Sequence, residues 1–141
     1  DVANIDLVRQ LVQAHAFWRL KGLAVDLVIW NEDRAGYRQV LQEQIMGLVA
    51  AGVEAQMMNR PGGIFVRPGD QISEEDRVLI ESAARAIICD SKGTLAEQIA
   101  DALRQWGKVG VNHLQVRFPS RNVDELVEQV EKFGAEVGPL L

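Results

Sequence analysis

The residues best placed to do chemistry are Asn31-Glu32-Asp33, an amide and two carboxylates that follow directly on the apolar run Val25–Trp30. In open α/β sheets, ligands bind beyond the carboxyl ends of the strands. A polar cluster that ends a strand is therefore where binding or acid–base work is sought. By the same rule Asp90 and Ser91, after Ala86–Cys89, and Arg117 and Arg121, around the end of Val111–Phe118, line the same rim. Paired carboxylates suit glycosidic chemistry, but a pair is chosen by its separation, and 20 acidic residues do not select one. Polar residues at strand ends are also what any solvated loop shows. The rim is thus a candidate ligand-binding edge, and no catalytic residue is assigned.

The other reactive side chains carry less. Ser91-Lys92-Gly93-Thr94 is a turn into a helix whose free amides could hold an anion, though the same residues read more simply as a capped helix start. Cys89, the one cysteine, reads as a small buried hydrophobe rather than a nucleophile. His15 lies beside an apolar helical stripe and reads as a boundary residue. His113 is the second of two histidines, and neither has the spacing of a metal site. The dinucleotide fingerprint, the phosphate-binding loop and the serine elbow are all absent. No cofactor and no metal are expected.

The elements that must position the rim alternate. Ile5, Val8, Leu11, Val12, His15 and Trp18 predict a helix over 4–21, with Asn4 or Asp6 as cap and Gly22 as stop. Val25–Trp30, apolar except for Asp26, predicts a strand covered on both faces. Tyr37, Leu41, Ile45, Leu48 and Val49 mark a second helix, ended by Gly52. Val53–Met58 is a weaker strand, with Met57 and Met58 as core. Asn59–Gly63 is a turn, and Ile64–Val66 is a short strand or extended loop. Ser73-Glu74-Glu75-Asp76 starts a helix that runs to the strand Ala86–Cys89. Thr94-Leu95-Ala96-Glu97 has the form of a capping box, and its helix runs past Trp106. Val111–Phe118 alternates as a strand. Asn122 opens a last helix, which Pro139 ends. Short connections and right-handed crossovers then imply a single three-layer, doubly wound α/β domain: a mainly parallel sheet of four to five strands with helices on both faces, flavodoxin- or Rossmann-like.

Composition narrows the function classes. A length of 141 residues with 48% hydrophobic content suits one soluble domain. The net charge of −5 and scattered basic residues argue against nucleic acid. No apolar run approaches the ~20 residues needed to span a bilayer.

Two stretches resemble known families. Leu7–His15 with Trp18–Leu23, Val25–Asp33, Gly36–Gln39, Arg60–Arg67, Asp70–Arg77 and Gly93–Gln98 make residues 1–98 similar to part of the cyclic β-1,2-glucan synthases. Gln98–Asp101, Gly110–Phe118, Asp124–Leu126 and Phe133 make residues 94–141 resemble the C-terminal βα unit of luciferase-like flavin-dependent monooxygenases. The two resemblances together imply a chimera, natural or engineered, divided into 1–98 and 99–141. In the synthases an apolar strand is expected just before Asp1, so the sheet would carry a vacant edge. Val111–Phe118 could fill that edge; left open, it invites a homodimer. The synthase resemblance implies a transferase parent whose chemistry resides elsewhere in a long inner-membrane chain, a cytoplasmic location for this segment, and a non-catalytic role. It also leaves room for a β-glucan-binding module, with Trp30, Asn31, Glu32 and Arg67 presenting stacking and hydrogen-bonding groups. The monooxygenase resemblance implies flavin chemistry, for which one terminal βα unit is too small an enclosure.

Overall fold

The computed structural model describes residues 5–32 and 38–141; Asn4, Asp33 and Tyr37 lie outside the described residues. The chain forms two compact units, residues 1–87 and 88–141.

In the first unit the order is α1 (Ile5–Leu20), β1 (Leu27–Asn31), α2 (Arg38–Ala50), β2 (Ile64–Pro68) and α3 (Glu74–Ala83). The strands run parallel, in register from Leu27 opposite Ile64 to Asn31 opposite Pro68. Alternation along a strand sends every second side chain to one face. Here Ile29 of β1 and Ile64 and Val66 of β2 enter the core, where they meet Val12 from α1 and Ile45 and Val49 from α2. Leu27, Leu41, Leu48 and Met58 close its margin. Both helices of this core therefore cover one face of the sheet. On the other face Val28 is exposed, and Trp30, Phe65 and Arg67 are half-buried.

A left-handed turn brings β2 in. Asn59 and Gly62 both have positive φ, at 55° and 73°. A Cβ on Gly63 would stand 1.9 Å from the Met57 carbonyl oxygen, so only glycine allows the backbone to cross here. The Gly63 carbonyl then accepts from the Leu27 amide at 2.9 Å and aligns β1 with β2.

The second unit holds α4 (Leu95–Lys108) and α5 (Val123–Glu136), each preceded by a polar cap. Phe118 and Phe133 meet edge to face at 5.6 Å, a geometry that suits the opposed charge of ring face and ring edge. Ala100 and Val137 are its fully buried apolar residues.

The four-to-five-strand sandwich is not formed: among the described residues there is one sheet, of two strands. Val53–Met58 instead makes a 3₁₀ turn at Ala55–Met57, because Glu54 takes helical angles and turns its carboxylate inward. Ala86–Cys89 is extended at Cys89 (φ −120°, ψ 133°) but joins no ladder. The Gln98 side chain occupies its end: the Cys89 amide donates to Gln98 Oε1, and Gln98 Nε2 donates to the Cys89 carbonyl, both at 2.9 Å. Those are the two bonds a neighbouring strand would have made. Val111–Phe118 has strand-like alternation but no partner strand, and Val111, Leu114 and Val116 are exposed. Alternation makes a strand possible; only a paired edge makes it a strand. With one face of the sheet partly open, β1 is not covered on both sides, and Cys89 is half-buried.

Candidate functional site

The carboxyl ends of β1 and β2 coincide, since Asn31 stands opposite Pro68. The Asn31 side chain is buried there, and its Nδ2 donates to Gln42 Oε1 at 3.4 Å. Glu32 lies just beyond the strand and pairs with Arg77 of α3. Arg77 also lies over the Trp30 ring, 5.1 Å from its centroid, where the negative ring face attracts the cation. The hydrogen bond that Arg77 donates to the Glu32 carboxylate raises the Arg77 pKa above its ordinary value. Gly69 lets the chain after β2 pass closely: a Cβ there would meet the Asn31 carbonyl oxygen and Glu32 Cγ, both at 3.3 Å. Among the described residues Trp30 Nε1 is the buried side-chain polar atom with no hydrogen-bond partner.

The other predicted rim residues lie in the second unit. Asp90 and Ser91 form a 3₁₀ turn, and Ser91 Oγ is 3.1 Å from Cys89 Sγ. Arg117 is exposed in an unpaired stretch. The Arg121 amide donates to Glu125 Oε2 at 2.6 Å and closes the start of α5. The shared rim required strands at 86–89 and 111–118. Without them, the reason to group these four with Asn31 and Glu32 is gone. Asp33 lies outside the described residues. Arg67 Nη1 donates to Asn59 Oδ1 at 2.8 Å and to the Val66 carbonyl at 3.0 Å.

At Ser91–Thr94 the helix start caps itself. The Thr94 amide donates to Glu97 Oε2 at 2.7 Å, and the Glu97 amide donates to Thr94 Oγ1 at 3.3 Å. The Thr94 amide, and after it the Thr94 hydroxyl, which donates to Glu97 Oε2 at 2.9 Å, hold the Glu97 carboxyl below its ordinary pKa. The Thr94 and Glu97 amides are therefore already engaged.

The most concentrated polar chemistry is one that sequence reasoning missed. His15, predicted at the boundary, is 1% exposed, as is Glu54. His15 Nδ1 is 2.8 Å from Glu54 Oε2, and its Nε2 is 3.0 Å from the Val25 carbonyl oxygen. Arg19, one turn along α1, donates to Glu54 Oε1 through Nε at 3.1 Å and Nη2 at 3.0 Å. The signal was present: Glu54 is the single acid in the apolar stretch after Gly52, and His15 and Arg19 are spaced to share a helix face. A carboxylate on a histidine can prepare a general base, but both side chains are buried and, among the described residues, their hydrogen bonds go to each other, to Val25 and to Arg19. It ties α1 to the turn after α2.

Among the described residues, no group of acids, histidines and cysteines is arranged to hold a metal ion, and no helix is long and apolar enough to cross a membrane. No family model matches the chain, and no solved structure matches it. The chain is 28% identical over 109 residues to the cyclic beta-(1,2)-glucan synthase NdvB of Rhizobium meliloti (strain 1021). The match covers 77% of the chain and 4% of the much longer relative. A match of 109 residues is longer than the segment 1–98, so it runs past residue 98, and no comparison supports a luciferase-like unit there. Three-quarters of this chain is thus similar to one short stretch of a glucan synthase.

Proposed function

We propose that the chain is a non-catalytic, structural segment of a glycosyltransferase-related protein of the glucan-synthase kind. The observation that carries this reading is the 109-residue similarity to a β-1,2-glucan synthase. The side chains support the structural half of it. Glu54 is consumed by His15 and Arg19, Glu32 by Arg77, and Glu97 by the start of α4. An acid that catalyses must reach a substrate; Glu54 is buried in the fold, and Glu32 and Glu97 are each engaged locally, by Arg77 and by the helix cap. The test is to exchange the matching segment of the Rhizobium synthase for this chain and measure cyclic β-1,2-glucan. Glucan is expected from the exchanged protein and is expected to disappear when the same exchange carries Glu54→Ala. Equal glucan with and without Glu54→Ala contradicts a structural role.

One observation favours a second reading, a β-glucan-binding module at the rim: Trp30 Nε1 is buried without a partner beside Asn31 and Glu32. A sugar hydroxyl that displaced the groups covering it would satisfy it. Thermal unfolding with and without β-1,2-linked gluco-oligosaccharides separates the two readings. At about 100 times the dissociation constant, a bound sugar stabilises by about 2.7 kcal/mol, several degrees for a domain of this size. An unchanged midpoint leaves the structural reading alone.

A further inference from the structure

We infer that β1 is an edge that pairs with β1 of a second copy of this chain, so that two sheets join across a two-fold axis. Hydrogen-bond accounting leads there. In a parallel pair, alternate residues turn their backbone groups toward the neighbouring strand and the others turn theirs away. The Leu27 amide donates to the Gly63 carbonyl, and Leu27 stands opposite Ile64. Leu27, Ile29 and Asn31 therefore face β2, and Val28 and Trp30 turn their N–H and C=O outward. The sheet has no strand on that side, and among the described residues no backbone group meets those of Val28 and Trp30.

The other edge of the sheet is closed. By the same rule β2 turns Ile64 and Val66 outward. The Ile64 carbonyl accepts from the Asn59 amide at 3.0 Å, and the Val66 carbonyl accepts from Arg67 Nη1 at 3.0 Å. Pro68 ends that strand without an N–H. Open edges are commonly blunted by a charge or a proline. β1, Leu27–Asn31, carries neither. The acids that flank it are engaged within their own chain: Asp26 accepts from the Gly62 amide at 2.6 Å, and Glu32 pairs with Arg77.

A second copy supplies the matching edge. Ile29 separates Val28 from Trp30. With the strands antiparallel about Ile29, Val28 exchanges both bonds with Trp30 of the partner subunit, and Trp30 does so with the partner's Val28. Ile29 then stands opposite the partner's Ile29 as the closer, non-hydrogen-bonded pair. Every outward N–H and C=O of β1 is satisfied. Directly opposed residues share a face, so exposed Val28 comes beside half-buried Trp30 of the partner subunit on the open face of the sheet. An aromatic ring beside a β-branched side chain is a favourable cross-strand pair. Charge fixes the register. Here Asp26 and Glu32 meet only beyond the strand ends, whereas a slip of two residues sets Trp30 against Asp26 or Val28 against Glu32 within the ladder.

The experiment is light scattering on the full chain at rising concentration, beside amide hydrogen exchange. The mass is expected to climb from 15.6 kDa toward twice that value, and the Val28 and Trp30 amides to exchange more slowly in step with it. Val28→Pro removes an outward N–H and none that faces β2. Its mass is expected to stay at that of one chain, with protected Leu27 and Ile29 amides showing that the sheet is intact. Where the proline unfolds β1, Val28→Lys keeps every N–H and sets a charge on the edge; it is expected to stay at the mass of one chain as well. A wild-type mass of one chain at every concentration, the edge being left to a strand from elsewhere, overturns the inference. So does a dimer that the folded variants retain, or one in which the Val28 and Trp30 amides exchange as fast as in the single chain.

Discussion

A buried pair of opposite charges contributes little against a well-packed apolar alternative, yet removing one partner strands the other and costs about 3–5 kcal/mol. Glu54→Ala would leave His15 buried and without its carboxylate, so a loss of that order is expected in urea unfolding. Glu32→Ala should cost less than about 1 kcal/mol, because the Glu32–Arg77 pair sits near solvent. Equal losses at the two positions would contradict this division between fold-holding and rim acids. Gly63→Ala forces a Cβ against the Met57 and Arg60 carbonyl oxygens and should cost about 2 kcal/mol or more, read as a lower unfolding midpoint. The sequence marked these residues unevenly. Pro61-Gly62-Gly63 announced its turn through backbone chemistry, which is local. His15 read as a boundary residue because its partner lies 39 positions away, and no local pattern shows a contact of that range.

Helix starts were the most legible elements, because a cap is settled within four residues. Ser73 Oγ accepts from the Asp76 amide at 3.1 Å, Thr94 and Glu97 form a reciprocal capping box, and Asn122 Oδ1 accepts from the Glu125 amide at 2.8 Å. Ser73→Ala should therefore destabilise the first unit by about 1 kcal/mol. The Glu97 bonds add a pH dependence. Its carboxyl is held below the ordinary value, so its contribution is present above the unfolded carboxylate range, near pH 4.3, and is lost as pH falls through the folded value. Amide exchange at the start of α4 should accelerate on acidification, and in Thr94→Ala this acid-dependent step should shrink. Strands were the least legible elements. Ala86–Cys89 and Val111–Phe118 have the residue types of strands, but pairing is decided elsewhere in the chain. In the first case a single side chain, Gln98, supplies the bonds a strand would have given. Gln98→Leu is expected to speed exchange of the Cys89 amide; unchanged exchange would mean that the amide is protected by something else.

The two compact units do not resemble each other in construction. The first has a sheet, a six-residue buried apolar cluster and the His15–Glu54–Arg19 hydrogen-bond cluster; in the second, Ala100 and Val137 are the buried apolar residues. The hydrogen bonds that join His15, Arg19, Val25 and Glu54 all lie within residues 15–54, so a fragment of residues 1–87 is expected to unfold cooperatively and to keep the Glu54 dependence. A fragment without a cooperative transition would show that the first unit depends on the rest of the chain. The alternation of helices and apolar runs gave an α/β reading, and it overestimated the sheet because each apolar run was counted as a paired strand. Similarity to a glucan synthase covers 4% of that protein, so the role of the segment is decided in the long chain. The most direct measurement is the cyclic β-1,2-glucan made by the Rhizobium synthase with this chain in place of its matching segment, carrying Glu32→Gln and Asp90→Asn together. A structural segment predicts as much glucan as from the same exchange without these changes. Loss of glucan from a protein that still folds and accumulates to the same level would place chemistry in this segment and contradict its structural role.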